Sequence, residues 1–279
     1  MRRRRFPPLL VVAALVFLAG IVAVFALADI IAPLDYRAQA LRNRLAPPVF
    51  LGGEWRHLLG TDELGRDIFS RLIFAIRFSL LAAFGGTVIG ALVGTTLGFI
   101  AAHCRGVVEE TIVMATDVQA SLPFMLIALA LIAVFGSSFL LFVVIMGFYG
   151  WETFARLTRN AVRSTMGQGY AQAITALGAT PAHIYLRHVL PNILGVLIVQ
   201  FSLNFPQVIL LEASLSFLGL GIRPPLTSLG QMLGAGRAYL TTAWWIAVIP
   251  GLVIFFTTMS LSIIGDWLRD RFDPTLRES

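Results

Sequence analysis

Runs of about twenty or more residues without Asp, Glu, Lys or Arg recur along this chain of 279 residues, and nothing constrains its fold more. A hydrocarbon core about 30 Å thick is crossed by about 20 helical residues, so each such run is a candidate span. Composition agrees. Apolar residues make up 57% of the chain and charged residues 13%, against about 25% charged in a soluble domain, so its surface cannot be kept in water.

The first run, Phe6 to Ala28, follows Arg2 to Arg5, whose charges hold the N-terminus in the cytoplasm by the positive-inside rule. A cleaved signal peptide is the rival reading, with Ala26-Leu27-Ala28 as a cleavage-like triplet. The apolar stretch exceeds the roughly 7 to 15 residues of a signal core, which favours a retained anchor. Phe78 to Ala102 is the second run and carries Gly86, Gly90, Gly94 and Gly98 on one helix face. Small residues at this step admit a second helix at close range. Static packing is the expectation, with a sliding surface as the functional alternative.

From Val118 to Trp151 no charge occurs for 34 residues; at ~1.5 Å rise that is about 51 Å, too long for one crossing. Gly136-Ser137-Ser138 is the expected turn, giving helices over about 112–135 and 139–155. Further spans are expected over about 192–215 and 241–265, the last opening near Trp244 and Trp245, expected as anchors at the outer interface rather than as an aromatic platform for solute. Six spans with the N-terminus inside return the C-terminus to the cytoplasm. Twelve of the 21 arginines then lie inside, so the orientation rests chiefly on the Arg2 to Arg5 cluster. The expected division is an anchor and outer loop over 1–74, a five-helix membrane domain over 75–268 with an inner loop at about 156–191, and a cytoplasmic tail over 269–279.

All 21 basic residues are arginine. Without lysine the chain has neither the phosphate-binding lysine of a Walker A loop nor a Schiff-base amine. A lone Cys104 excludes an internal disulfide and a CxxC site. The four histidines, His57, His103, His183 and His188, form no metal-ligand pair such as HExxH, so no metal site is expected. The net charge of +6 reads as cytoplasmic and interfacial anchoring in lipid, with no nucleic-acid partner.

The inner loop runs Tyr170-Ala-Gln-Ala-Ile-Thr-Ala-Leu-Gly-Ala-Thr-Pro-Ala-His-Ile-Tyr-Leu-Arg-His-Val-Leu-Pro191-Asn192. Residues 170–177 are good helix formers, Gly178 suits the left-handed position after a helix, Thr180 can cap the next one, and Pro181 suits its first turn. Pro191 is expected to break that second helix before the membrane run resumes. Arg156, Arg159, Arg163 and Arg187 lie nearby with no acid between Glu152 and Glu212. The expected product is a basic, exposed helix-turn-helix, suited to docking a partner.

This segment resembles the cytoplasmic "EAA" loop of ABC-importer permeases, with pattern Glu-Ala-Ala, three residues, Gly, nine residues, Ile-x-Leu-Pro. The match falls on Gln172, Ala173, Ile174, Gly178, His188, Leu190 and Pro191 with intact spacing. Gln172 stands where the family has glutamate and keeps the capacity to hydrogen-bond. His57-Leu-Leu-Gly-Thr-Asp-Glu-Leu-Gly-Arg-Asp-Ile-Phe-Ser-Arg71, Glu212-Ala-Ser-Leu-Ser-Phe-Leu-Gly-Leu-Gly-Ile-Arg-Pro-Pro225 with Gly230, and the ending Gly265 to Pro274 narrow the likeness to the shorter permease of dipeptide, oligopeptide and nickel importers.

The resemblance implies an all-α polytopic subunit of the type I permease fold, in the inner membrane, with no catalytic residues. It implies a second permease forming a heterodimer, one or two cytoplasmic ATPases that carry ATP and Mg, an extracytoplasmic solute-binding protein, and a peptide-like solute. Nickel or glutathione is the alternative solute. It places ATPase coupling on Tyr170, Gln172, Ala173, Gly178, Ala179, Leu190 and Pro191, and an outer-loop signature on Gly60, Thr61, Asp62, Gly65, Arg66 and Asp67.

Beside Arg66 and Arg71, the acids of that signature suggest local ion pairs and caps, in a structural collar or a contact for the binding protein. Ionisable residues near spans are costly and start as site candidates. Asp117 and Glu152 are expected near cytoplasmic helix ends. Glu212, with Ser216, is the candidate for meeting a peptide amine or metal ion in the pathway. An ion-driven secondary transporter would favour repeated halves and buried acid chains, which are not found. An intramembrane enzyme would need a converging catalytic constellation, and none is found.

Overall fold

The computed structural model describes residues 8–136, 138–167 and 178–272, with backbone only for 181, 182 and 272. Among these the chain is helical, and its β pairing is a single isolated bridge between Thr61 and Asp67. The helices are α1 (Leu9–Ala26), α2 (Ala28–Ile31), α3 (Ile68–Cys104), α4 (Gly106–Ser121), α5 (Phe124–Phe135), α6 (Phe139–Gly147), α7 (Trp151–Met166), α8 (Pro181–Ile184), α9 (Leu190–Phe217), α10 (Leu229–Gly236) and α11 (Trp245–Phe272).

Among the described residues, five stretches are long and apolar enough to cross a membrane: Leu9–Ala26, Ile68–Cys104, Phe139–Met166, Tyr185–Phe217 and Trp245–Arg271. The sixth expected span, about 112–135, is not one straight helix. It is the pair α4 and α5, bent by 94° at Leu122-Pro123. Pro123 has no amide to donate and pushes Leu122 to an extended conformation, ψ 135°, which ends α4. The helix expected over 139–155 instead pauses at Phe148–Gly150 and continues as α7 to Met166. Glu152, expected near a helix end at the cytoplasm, therefore sits in the first turn of α7, well inside a 28-residue stretch and away from both of its ends.

α3 is the scaffold of the subunit, 37 residues long. It starts ten residues before the expected span because Asp67 caps it, its Oδ2 accepting from Ser70 N at 2.8 Å. The four-glycine face is buried against α6 and α7. A Cβ at Gly98 would stand 2.6 Å from both the Ala155 carbonyl and Thr158 Cβ, and one at Gly90 would stand 3.1 Å from the Gly147 carbonyl. Only bare glycine lets these backbones meet, which is the static-packing reading of the repeat.

Three apolar clusters hold the helices. One joins α1, α3, α10 and α11 around Ile68, Met232 and Ile246. A second joins α3, α5, α6 and α9 around Ala82, Met146 and Ile209. The third lies at the C-terminal end of α3, where Ala102, Val162, Ile184, Val189 and Ile193 meet. Trp245, expected as an interfacial anchor, belongs to the first cluster: it is buried, and its Nε1 donates to the Thr61 carbonyl at 3.5 Å. An indole whose N–H has a protein partner is better placed inside than at the lipid headgroups.

Candidate functional site

Before α8, Gly178 takes φ +81°, with no atom of the described residues within 4 Å of where a Cβ would stand. That is the left-handed turn expected from the sequence, and Thr180 accepts from His183 N at 3.4 Å as α8 begins. Tyr170, Gln172 and Ala173, the first half of the expected coupling segment, lie outside the described residues. Ala179 and Leu190 pack on the third apolar cluster.

Pro191 does not break the chain here. Residues Tyr185–Val189 form a π-helical turn, Leu190 N donating to Tyr185 O, and α9 proceeds with Pro191 in its first turn. The wider turn places the amide-free proline where an unfilled donor position costs nothing. The loop is thus joined to the Tyr185–Phe217 span without a joint. Tyr185 is also tied to α3, its hydroxyl 3.1 Å from His103 Nδ1 and its ring edge-on to Phe99.

Three of the four arginines expected around an exposed knob, Arg156, Arg159 and Arg163, reach to α4, while Arg187 is exposed. Arg159 Nε donates to Glu109 Oε1 at 2.5 Å, Arg163 pairs with the same carboxylate, and Arg156 Nη2 donates to the Thr116 carbonyl at 3.0 Å. Glu109, Glu110, Asp117, Arg159 and Arg163 line a groove of about 750 Å3 between α4 and α7. Glu109 was not singled out in the sequence because its partners are 50 and 54 positions away.

In the loop before α3, Asp62 is fully buried and meets two guanidinium groups, Arg66 Nε at 2.6 Å and Arg71 Nη1. Its Oδ1 accepts from Leu64 N at 2.8 Å and Arg66 N at 2.9 Å, closing the turn in which Gly65 takes φ +71°. Asp67 accepts from Ser70 and lies 3.0 Å from His57 Nδ1. Thr61 accepts from Ala46 N at 2.8 Å, and Gly60 leaves space between Ala46 and the Trp245 indole. Asp62 is held by Arg66, Arg71 and two backbone amides, and Asp67 by Ser70 and His57, which gives this knot the chemistry of a clasp.

Glu212 and Ser216, expected to touch solute, are interior in this structure at 0% and 4% exposure. Ser216 Oγ donates to Glu212 Oε1 at 2.7 Å. The hydroxyls of Ser79 and Ser228 face the same carboxyl, while Oε2 has no well-formed hydrogen bond among the described residues. Ser79 accepts from Leu229 N at 3.0 Å and Ser228 caps α10. The signature from Glu212 onward folds back on α9, and a Cβ at Gly230 would stand 2.6 Å from Ala213 Cα. The carboxyl therefore ties α3, α9 and α10 together.

Sequence reasoning followed ionisable side chains and so passed over the uncharged polar ones within the spans. Tyr149, Asn204 and Gln207 meet where α6 gives way to α7, the Tyr149 hydroxyl donating to Gln207 Oε1 at 3.4 Å. An uncharged polar residue amid an apolar run is the signal that marks them. No group of three or more His, Cys, Asp or Glu among the described residues is placed to hold a metal ion.

The family described as "Binding-protein-dependent transport system inner membrane component" matches residues 94–278. The di/tripeptide transport system permease protein DppC of Pseudomonas aeruginosa (strain UCBPP-PA14) is 38% identical over 95% of this chain and 88% of its own. The dipeptide permease protein DppC of Escherichia coli (strain K12) is 37% identical over 96% and 89%. The glutathione transport system permease protein GsiD of Pectobacterium atrosepticum is 35% identical over 95% and 87%. An inward-facing structure of the MetNI methionine ABC transporter shares the fold, with TM-score 0.59 at 18% identity, covering 74% of this chain and 98% of that one.

Proposed function

The chain belongs to the family of binding-protein-dependent transport system inner membrane components, and from that premise we propose that it forms, with a second and different permease, the pathway for ATP-driven uptake of short peptides. It is a membrane permease subunit and not an enzyme; ATP hydrolysis in this family resides on a separate subunit. Likeness to di/tripeptide, dipeptide and glutathione permeases over about 95% of the chain carries the peptide reading.

In this reading ATP and Mg are held by one or two cytoplasmic ATPases, and an extracytoplasmic binding protein delivers the solute. Both termini are cytoplasmic, residues 1–74 are anchor and outer loop, 75–268 the permease domain, and 269–279 the tail. The segment from Tyr170 through Pro191 seats on an ATPase. Because its second half continues without a joint into α9, a displacement of Gly178, Ala179 or Leu190 is passed rigidly to the membrane, and the spans rock between two states. The outer knot around Asp62 is a collar that keeps the loop from yielding when they do.

The test is a reconstituted complex of both permeases, ATPases and binding protein in proteoliposomes. Peptide uptake that stops when ATP is withheld is expected. Uptake by this chain alone, driven by an ion gradient, would overturn the proposal.

A further inference from the structure

A polar pair interrupts the apolar exterior of the subunit near the middle of the membrane. Gln207 is exposed on α9, and Tyr149 donates to it at 3.4 Å. Their depth follows from α3. Gly90, against which the carbonyls of Gly147 and Tyr149 pack at 3.1 and 3.2 Å from where a Cβ would stand, is the central residue of the charge-free stretch 78–102.

The backbone at that level is broken as well. Between α6 and α7 the Phe148 carbonyl takes a hydrogen bond from Gln119 Nε2 at 3.2 Å. Asn204, 3% exposed, lays its amide against Gly150, and its Oδ1 has no partner among the described residues. Pro206 removes a backbone donor from α9 one residue before Gln207.

Lipid does not tolerate such a surface. Irregular backbone at membrane depth persists only where protein covers it or water lines it, and interrupted helices with polar groups at the midplane are the architecture of solute sites. The lipid face looks different here: α1 exposes Leu9, Leu10, Val12, Leu15, Val16 and Val22. From Gln207 a groove of about 450 Å3 between α9 and α11 reaches exposed Ser262 and Asp266, toward the inner end.

We infer that Gln207 and Tyr149 are this subunit's contact with the translocated solute midway through the membrane, and that the groove to Asp266 is its exit. The inference rests on the importer reading above and names the site that reading lacks. A carboxamide and a phenol each donate and accept, which suits the backbone amides of a short peptide whatever its side chains. Asp266 then offers a negative charge to the peptide ammonium at the inner end.

The experiment uses the complete importer in proteoliposomes, with Cys104→Ser as background and Gln207→Cys as probe. A charged, water-soluble methanethiosulfonate is expected to label Gln207→Cys during ATP turnover, several-fold more slowly when a transported di- or tripeptide is present. Val16→Cys, on the lipid face, is expected to resist it. Absence of labelling in every state, as for a residue packed on the second permease, overturns the inference, and so does labelling that peptide leaves unchanged. In parallel, Gln207→Leu is expected to raise KM for peptide uptake several-fold and Gln207→Asn to restore part of the loss; an unchanged KM in Gln207→Leu counts against the contact. Should the wild-type importer take up no peptide, the peptide reading fails separately. Slowing of the label by whatever solute is transported would still uphold the site.

Discussion

Arg159 on α7 reaches back 50 positions to place its Nε 2.5 Å from the Glu109 carboxylate on α4. Arg163 shares the same acceptor. One carboxylate thereby clamps two turns of α7 to α4, beside Val162, where α7 meets α3 and the π-helical turn.

Glu109→Gln should therefore loosen the link between ATP hydrolysis and transport. The pairs are partly exposed, so the stability loss is small, and the subunit still inserts. Uptake per ATP hydrolysed, measured in the same proteoliposomes, is expected to fall at least about twofold, as loss of a shared charged acceptor frees both guanidinium groups. A ratio equal to wild type would refute the clamp.

Gly98→Val should separate α3 from α7, because its first side-chain carbon already meets Ala155 O and Thr158 Cβ at 2.6 Å. Overpacking of this kind costs about 1–3 kcal/mol or more, read as a lowered melting temperature in detergent. Gly20→Ala, with nothing within 4 Å, is the control and should melt like wild type.

Asp62→Ala leaves Arg71, 3% exposed, as an uncompensated interior charge. Breaking one side of such a pair costs about 3–5 kcal/mol, so the variant should be recovered from membranes at a small fraction of the wild-type level. Adding Arg71→Met should restore much of that level; no recovery would mean that Asp62 acts chiefly through the turn amides it accepts.

Gly178→Pro sets φ near −65° where the chain needs +81°. ATP hydrolysis should continue while uptake drops about tenfold or more, if the segment transmits motion. Gly178→Asn, a residue that tolerates the left-handed region, should retain most transport. Full uptake by a properly inserted Gly178→Pro would sink the coupling role.

The glycine face of α3, the turn at Gly178 and the acid-arginine pairing of the outer loop were all legible in the sequence, because each is a local rule: a four-residue step, a positive φ, charges within a few positions. Pro191 misled, since a proline breaks a regular α-helix but not one that enters through a π turn. Arg159 and Arg163 misled too. Charges read as unpaired for want of a nearby acid found one 50 and 54 positions upstream. Glu212 stood out as a carboxylate in a span, yet its burial among Ser216, Ser79 and Ser228 is set by three segments that only folding brings together.

By itself the sequence determined that this chain lives in lipid, that it carries no ATP chemistry of its own, and which family its motifs resemble, because span length, residue chemistry and motif spacing are properties of the linear chain. Tertiary structure alone decided which face is apolar and which is broken and polar. Exposure of Gln207 beside Tyr149 depends on where α6 stops, where Pro206 falls and how closely Gly90 admits its neighbour. Those are distances between segments, and no periodicity within one segment contains them.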